Sequence, residues 1–237
     1  MQRADFLNAV FAIATTVSLD APPSTKWKIV GGVKVPDTAL AQGATAIASA
    51  AEPMAIFNHS LRTYLFAEII AAAKKLPHDA ELVYVASILH DTGLCAQYMS
   101  DSDPFEVDGA NVAAQFLAKS NTSEDRVATV WDAIALHDNS GIASHKQAEV
   151  RLVNAGVGAD FGGFGELIGH DQLAAVFAAA PRKDFIDVFL DAAAAVARKK
   201  PQSTAHSFVA DVGYCKVRGF HLPSFCDEVK DDPYAGY

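Results

Sequence analysis

From Pro53 to about residue 220, apolar residues recur every third or fourth position in one segment after another, and strict alternation is almost absent. That period is the mark of an α-helix burying one face. In "MAIFNHSLRTYLFAEIIAAAKKL" it groups Ile56, His59, Leu61, Leu65, Ile69 and Ala72. Pro53 stands near the first turn of this helix, Pro77 ends it, and Asp79 is placed to cap the next. "FEVDGANVAAQFLAKS", "SEDRVATVWDAIALHD", "SHKQAEVRLVNAGVGADFGGFG", "PRKDFIDVFLDAAAAVARKK" and "STAHSFVADVGYCKVRG" repeat the pattern, whereas only "KIVGGVKV" reads as a short strand. Helices that each carry an apolar stripe must pack on one another. The expected fold class is all-α, one helical-bundle domain over residues 53–220. A Pro/Gly-rich lead-in and first helix at 1–52 precede it, and a C-terminal surface tail at 221–237 follows.

Composition narrows the partners. A chain of 237 residues, 51% hydrophobic, has enough apolar surface for one core. Its formal charge of −9 argues against a nucleic-acid backbone or an anionic membrane as partner. No apolar run approaches the roughly eighteen residues of a membrane span. A small-molecule substrate is the expected partner, and helical faces such as "DAAAAVA" leave a homo-oligomer open. Cys95, Cys215 and Cys226 lack CxxC spacing and read as buried thiols. The N-terminal "MQRADFLNAVFAIATTVSLDAPPS" has an Arg, an apolar stretch and small residues, as a secretory signal does. Asp5 interrupts the basic start, however, and no A-x-A site follows. A cytoplasmic protein is expected, with secretion the alternative if this segment is a signal remnant.

"VYVASILHDTGL" (83–94) is apolar until it finishes on His90 and Asp91, two groups that are costly to bury unpaired. Adjacent helical residues point about 100° apart. Both can bind one ion only where the helix ends, and Gly93 puts an end nearby. His59 lies on the apolar face of an earlier helix, and Asp160 shares a face with Val153 and Val157. Singly, each has an ordinary structural explanation: a core histidine, a chance dipeptide, a helix-end cap. Jointly, two imidazoles and two carboxylates in helical context suit one divalent metal ion, Zn first, with Fe or Mn as alternatives.

"NHSLR" (58–62), "ILHDTG" (88–93) and Asp160 resemble the HD-domain superfamily of metal-dependent hydrolases, and within it the cyanamide hydratases of fungi. The resemblance spans roughly residues 53–220 and takes in "AIALHDNSGI" (133–142) and "ARKKP" with His206. It implies a single HD domain and the metal ligands His59, His90, Asp91 and Asp160. "PFEVDGAN" (104–111) departs from the hydratase pattern at Asp108 and Ala110, as does Gln202 after Pro201.

The activity implied is metal-dependent addition of water to a small nitrile such as cyanamide, giving urea. Asp91 is the catalytic metal carboxylate, and Glu106 or His137 moves the proton. Asn58, Arg62, Asp108, Lys200 and His206 are the candidate pocket residues. His137 is placed in the pocket rather than with His145 on a second metal. An HD-superfamily phosphohydrolase acting on a small phosphate ester is the alternative, and it would need cations from Arg62, Arg126, Lys146 or Arg151. A non-catalytic domain pinned by the metal is the third; a site without cysteine argues against it.

Overall fold

A computed structural model describes residues 27–205 and 207–224. The signal-like N-terminal segment, His206, Cys226 and the tail beyond residue 224 lie outside the described residues. Trp27–Val30 (β1) and Val33–Pro36 (β2) pair antiparallel, with Val30 opposite Val33. Gly31 and Gly32 both take positive φ (55° and 80°), the combination a two-residue hairpin turn demands.

Ten α-helices follow among the described residues: Ala39–Ala51 (α1), Met54–Lys74 (α2), Ala80–Leu89 (α3), Phe105–Lys119 (α4), Glu124–Ala135 (α5), Ser140–Ala143 (α6), Ala148–Asp160 (α7), His170–Ala179 (α8), Phe185–Lys199 (α9) and Phe208–Lys216 (α10). The fold is all-α, with one hairpin among the described residues. The helix starts follow local chemistry. Thr38 accepts from the Ala41 N–H, Asp79 from those of Glu81 and Leu82, and Ser207 from that of Val209. Pro53 and Pro104 stand immediately before α2 and α4, where a missing N–H costs nothing.

α2 is not the one-faced helix its spacing suggests. Ala72 is exposed, while Arg62, Thr63, Tyr64, Leu65, Phe66 and Ala67 are all buried in succession. The helix runs through the middle of the bundle, packed by α3, α7 and α9. α7 crosses it so closely that a Cβ on Gly156 would stand 2.1 Å from the Thr63 carbonyl oxygen. Only glycine allows that approach. α8 gives almost no periodic signal, and Val176 is its one fully buried residue.

Two apolar clusters share the interior. The larger joins α1–α5 and α7. The smaller comprises Ile56, Leu94, Phe105, Phe185, Phe189 and residues of α9 and α10. On α2, His59 lies between Ile56 of the smaller cluster and the run of the larger cluster that begins at Tyr64.

Candidate metal centre

α3 stops at Leu89, His90 keeps helical dihedrals, and Asp91 leaves them at φ −97°, ψ 3°. The chain then turns through Thr92–Leu94, and a Cβ on Gly93 would lie 1.9 Å from the Phe105 carbonyl oxygen at the start of α4. The helix therefore breaks where two adjacent side chains need to converge, under cover of α4.

His59, His90 and Asp91 do converge, and their ligand atoms lie within 4.8 Å of one another. His59 Nε2 is 3.3 Å from His90 Nε2. Asp91 Oδ2 is 3.3 Å from His90 Nε2 and 3.7 Å from His59 Nε2, and it has no hydrogen-bond partner. His137 stands at the edge, its Nε2 3.9 Å from Asp91 Oδ1, outside the group of three. All four side chains are at most 3% exposed.

The tautomers follow from the outer nitrogens. His90 Nδ1 meets the Ser87 carbonyl at 2.7 Å, and His137 Nδ1 meets the Ile134 carbonyl at 2.7 Å. His59 Nδ1 meets Asp160 Oδ2 at 2.7 Å. Each partner can only accept, so each Nδ1 carries the hydrogen and each Nε2 presents a lone pair. Two lone pairs facing across 3.3 Å beside an orphaned carboxylate oxygen repel unless a proton or a cation lies between them. The donors, two imidazoles and a carboxylate, are those of a borderline divalent ion with room for water or substrate.

Titration behaviour follows the same geometry. Burial pushes the Asp91 carboxyl up, but the surrounding imidazoles outweigh it and hold it well below the usual carboxylate range. Burial pulls His90 down too, yet the Asp91 charge raises it above the usual imidazole value. His59 is lowered, chiefly by burial, against the opposing bond to Asp160, and His137 is lowered by burial and by His90.

Asp160, at the end of α7, lies outside the converging group. Its Oδ1 accepts from Arg62 Nε (2.8 Å), and its Oδ2 accepts from Arg62 Nη2 (2.8 Å) and from His59 Nδ1. Burial alone would raise its pKa; His59 and Arg62 bring it down to about 2. A carboxylate bonded to the outer nitrogen of a ligand histidine fixes that ring and raises its basicity. Arg62, expected in the pocket, is fully buried, and its Nη1 also donates to the Ala180 and Pro181 carbonyls (3.1 and 3.2 Å). Asn58 Nδ2 donates to the same Pro181 carbonyl (3.1 Å).

Asp108 and Lys200 face each other rather than the centre. Lys200 Nζ pairs with Asp108 Oδ2 and reaches the Asp103 carbonyl, while Asp108 Oδ2 also accepts from the Ser100 N–H. Together they fasten the loop before α4 to the end of α9. Glu106 diverges from Asp108, as residues two apart on a helix must, and its Oε1 accepts from Ser207 Oγ (2.7 Å). Burial and the nearby Asp138 push it up to about 8.

Sequence reasoning missed the aromatic wall. The Phe185 ring stacks on His59 with centroids 4.7 Å apart; Phe161 and Phe189 meet the same imidazole, and Phe105 meets His137. The regular spacing of Phe185 and Phe189 was visible, but it reads equally as core. Residues 56–212 match the profile of the HD domain. Among curated proteins none matches the chain.

Proposed function

The chain belongs to the HD-domain family, and on that premise we propose that it is a metal-dependent hydratase acting on a small uncharged nitrile such as cyanamide, with urea as product. The observation that carries this choice is the wall of the centre. Phe105, Phe161, Phe185 and Phe189 line the histidines, and the two buried cations nearest in the sequence motifs, Arg62 and Lys200, are already committed to Asp160 and Asp108. Such a site favours a small, weakly polar substrate over a highly charged one.

His59, His90 and Asp91 would hold the ion, with Asp160 orienting His59 from behind. A divalent ion there supplies Lewis acidity and water activation at neutral pH. His137 Nε2, kept neutral and hydrogen-free, accepts the proton released as water adds to the nitrile carbon. Glu106, which retains its proton to about pH 8, is the donor to the nitrile nitrogen. Phe105, Phe185 and Phe189, all buried, screen the centre from bulk water. A cytoplasmic setting and a small-molecule partner complete the proposal.

One observation favours a second activity, hydrolysis of a small phosphate ester. The Arg182 guanidinium lies over Phe185 (5.2 Å) and Phe161 (6.0 Å), the rings that touch His59, and could meet an anion at the rim. The other cations considered for phosphate lie elsewhere: Arg126 pairs with Glu81 and Asp79, Lys146 with Asp132, and Arg151 is exposed. The test is urea formation from millimolar cyanamide, alongside a set of small phosphate esters, before and after chelation and metal re-addition. Metal-dependent urea supports the hydratase. Metal-dependent phosphate release without urea, lost in Arg182→Ala, replaces it with the phosphohydrolase.

A further inference from the structure

Beside His137 the structure holds two carboxyls and one hydroxyl that a nitrile-hydrating centre would not need merely to hold its ion. Ser207, the residue before α10, places Oγ 2.7 Å from Glu106 Oε1 and 3.2 Å from Asp138 Oδ2. A serine hydroxyl has one hydrogen and can serve only one of these acceptors. If both carboxyls were ionised, the other oxygen would face the Oγ lone pairs with nothing between. The arrangement is satisfied when one carboxyl is protonated and donates to Oγ while Oγ donates to the other. Glu106 is 5% exposed, Asp138 is half-buried, and Glu106 Oε2 is buried with no partner.

We infer that Glu106, Ser207 and Asp138 form a proton wire, running from the buried Glu106 carboxyl to the half-buried carboxyl of Asp138. In one state the Glu106 carboxyl hydrogen is bonded to Oγ, and the Oγ hydrogen to Asp138. Transfer of both hydrogens along their bonds leaves Glu106 ionised and Asp138 protonated. No charge is created, and the hydroxyl ends with a single hydrogen as it began. Asp138 then exchanges with solvent. Glu106 Oε2, the oxygen turned away from the wire, is where a substrate nitrogen or a water would take up or return the proton.

The surroundings fit this role. Phe105, one residue before Glu106, packs against the His137 ring, one residue before Asp138, so the same two elements that shape the centre bring the carboxyls together. The other charges near Glu106 are accounted for: Asp108 on its own helix is paired with Lys200 from the end of α9, and His137 is neutral with its Nδ1–H on the Ile134 carbonyl. The elevated affinity of Glu106 for its proton is due to burial first and to Asp138 second. As a supply of protons to catalysis the wire rests on the hydratase proposal; as a proton-sharing unit it does not.

The test therefore uses no substrate. Infrared titration of the full-length, metal-loaded protein should show a protonated-carboxyl band persisting well above the ordinary carboxylate range and absent from Glu106→Gln. Glu52, also buried with a strongly raised pKa, supplies a separate band that this variant leaves in place. Asp138→Asn should lower the midpoint of the Glu106 band by about one pH unit. After a pH jump the band should decay at least tenfold more slowly in Ser207→Ala, and at the original rate in Ser207→Thr, which restores both the hydroxyl and the helix cap. A wild-type protein without the band, or a midpoint unmoved by Asp138→Asn, overturns the shared proton. Equal decay rates in wild type and Ser207→Ala overturn the wire. Absence of urea in the cyanamide assay bears on neither result.

Discussion

His59, His90 and Asp91 present two imidazole lone pairs and a carboxylate to one point, so their substitutions should not be graded. His90→Ala and Asp91→Ala each remove a donor from a three-residue set, and each purified variant should contain no stoichiometric metal by mass spectrometry. Asp160→Asn is a subtler change. If Asp160 acts through His59, the ion is kept but its affinity falls about 10–100-fold; complete loss of the ion would make Asp160 a ligand. Competition with a coloured chelator separates the two. His59, His90 and Asp91 were legible as a set because all of them fall on or at the end of apolar helices, whereas the His90–Asp91 pair alone would pass for a chance dipeptide. The Arg62 clamp was not. Its partner stands 98 residues away, and a lone arginine in a helix carries no mark of burial.

At the scale of elements, α2 and α7 cross with backbone nearly on backbone at Thr63 and Gly156. Gly156→Ala forces the helices apart near His59 and Asp160, and should destabilise the fold by about 1–3 kcal/mol in urea unfolding while weakening metal binding. The clasp between α9 and the loop before α4 yields a different prediction. Lys200→Ala leaves Asp108 buried and unpaired, at a cost of about 3–5 kcal/mol, whereas Lys200→Met with Asp108→Leu should cost much less. Hydrogen exchange across residues 96–103 reports the released loop directly. Periodicity revealed most helices, since each of their apolar stripes faces one of the two apolar clusters. It misled at α2, which is buried on nearly every side, and passed over α8, which buries only one residue fully.

For the whole molecule, stability and metal content should respond to pH in opposite senses. Without metal, Asp160, held at about 2 against an ordinary 3.8, stabilises the fold above that ordinary value, and the contribution is lost as pH falls through 2. Glu106 works the other way. The folded protein keeps a proton that the unfolded chain releases above about 4.5, so stability declines as pH rises from there towards 8. His90, raised by Asp91, adds stability below the ordinary imidazole range that is likewise lost on the alkaline side. The metal-free protein should melt highest at mildly acidic pH, and Glu106→Gln should flatten the decline above it. Metal competes with protons for the same nitrogens, so loading shifts the optimum upward. At free metal one hundred times Kd the gain is about 2.7 kcal/mol, roughly 5–10 °C in melting temperature for a chain of this size.

The centre draws His59 from α2, His90 and Asp91 from the end of α3, and its backing carboxylate from α7, with rings from α9 closing over them. A ribosome making this chain has therefore translated α9, long after the first donor on α2, before the ligand cage can shut. Until Phe185 and Phe189 emerge, His59 lacks its roof and any captured ion exchanges freely with the surroundings. Secure metal loading should consequently be a late event in biosynthesis, and a nascent chain stalled before α9 should give up an ion to a chelator far faster than the chain that has made it.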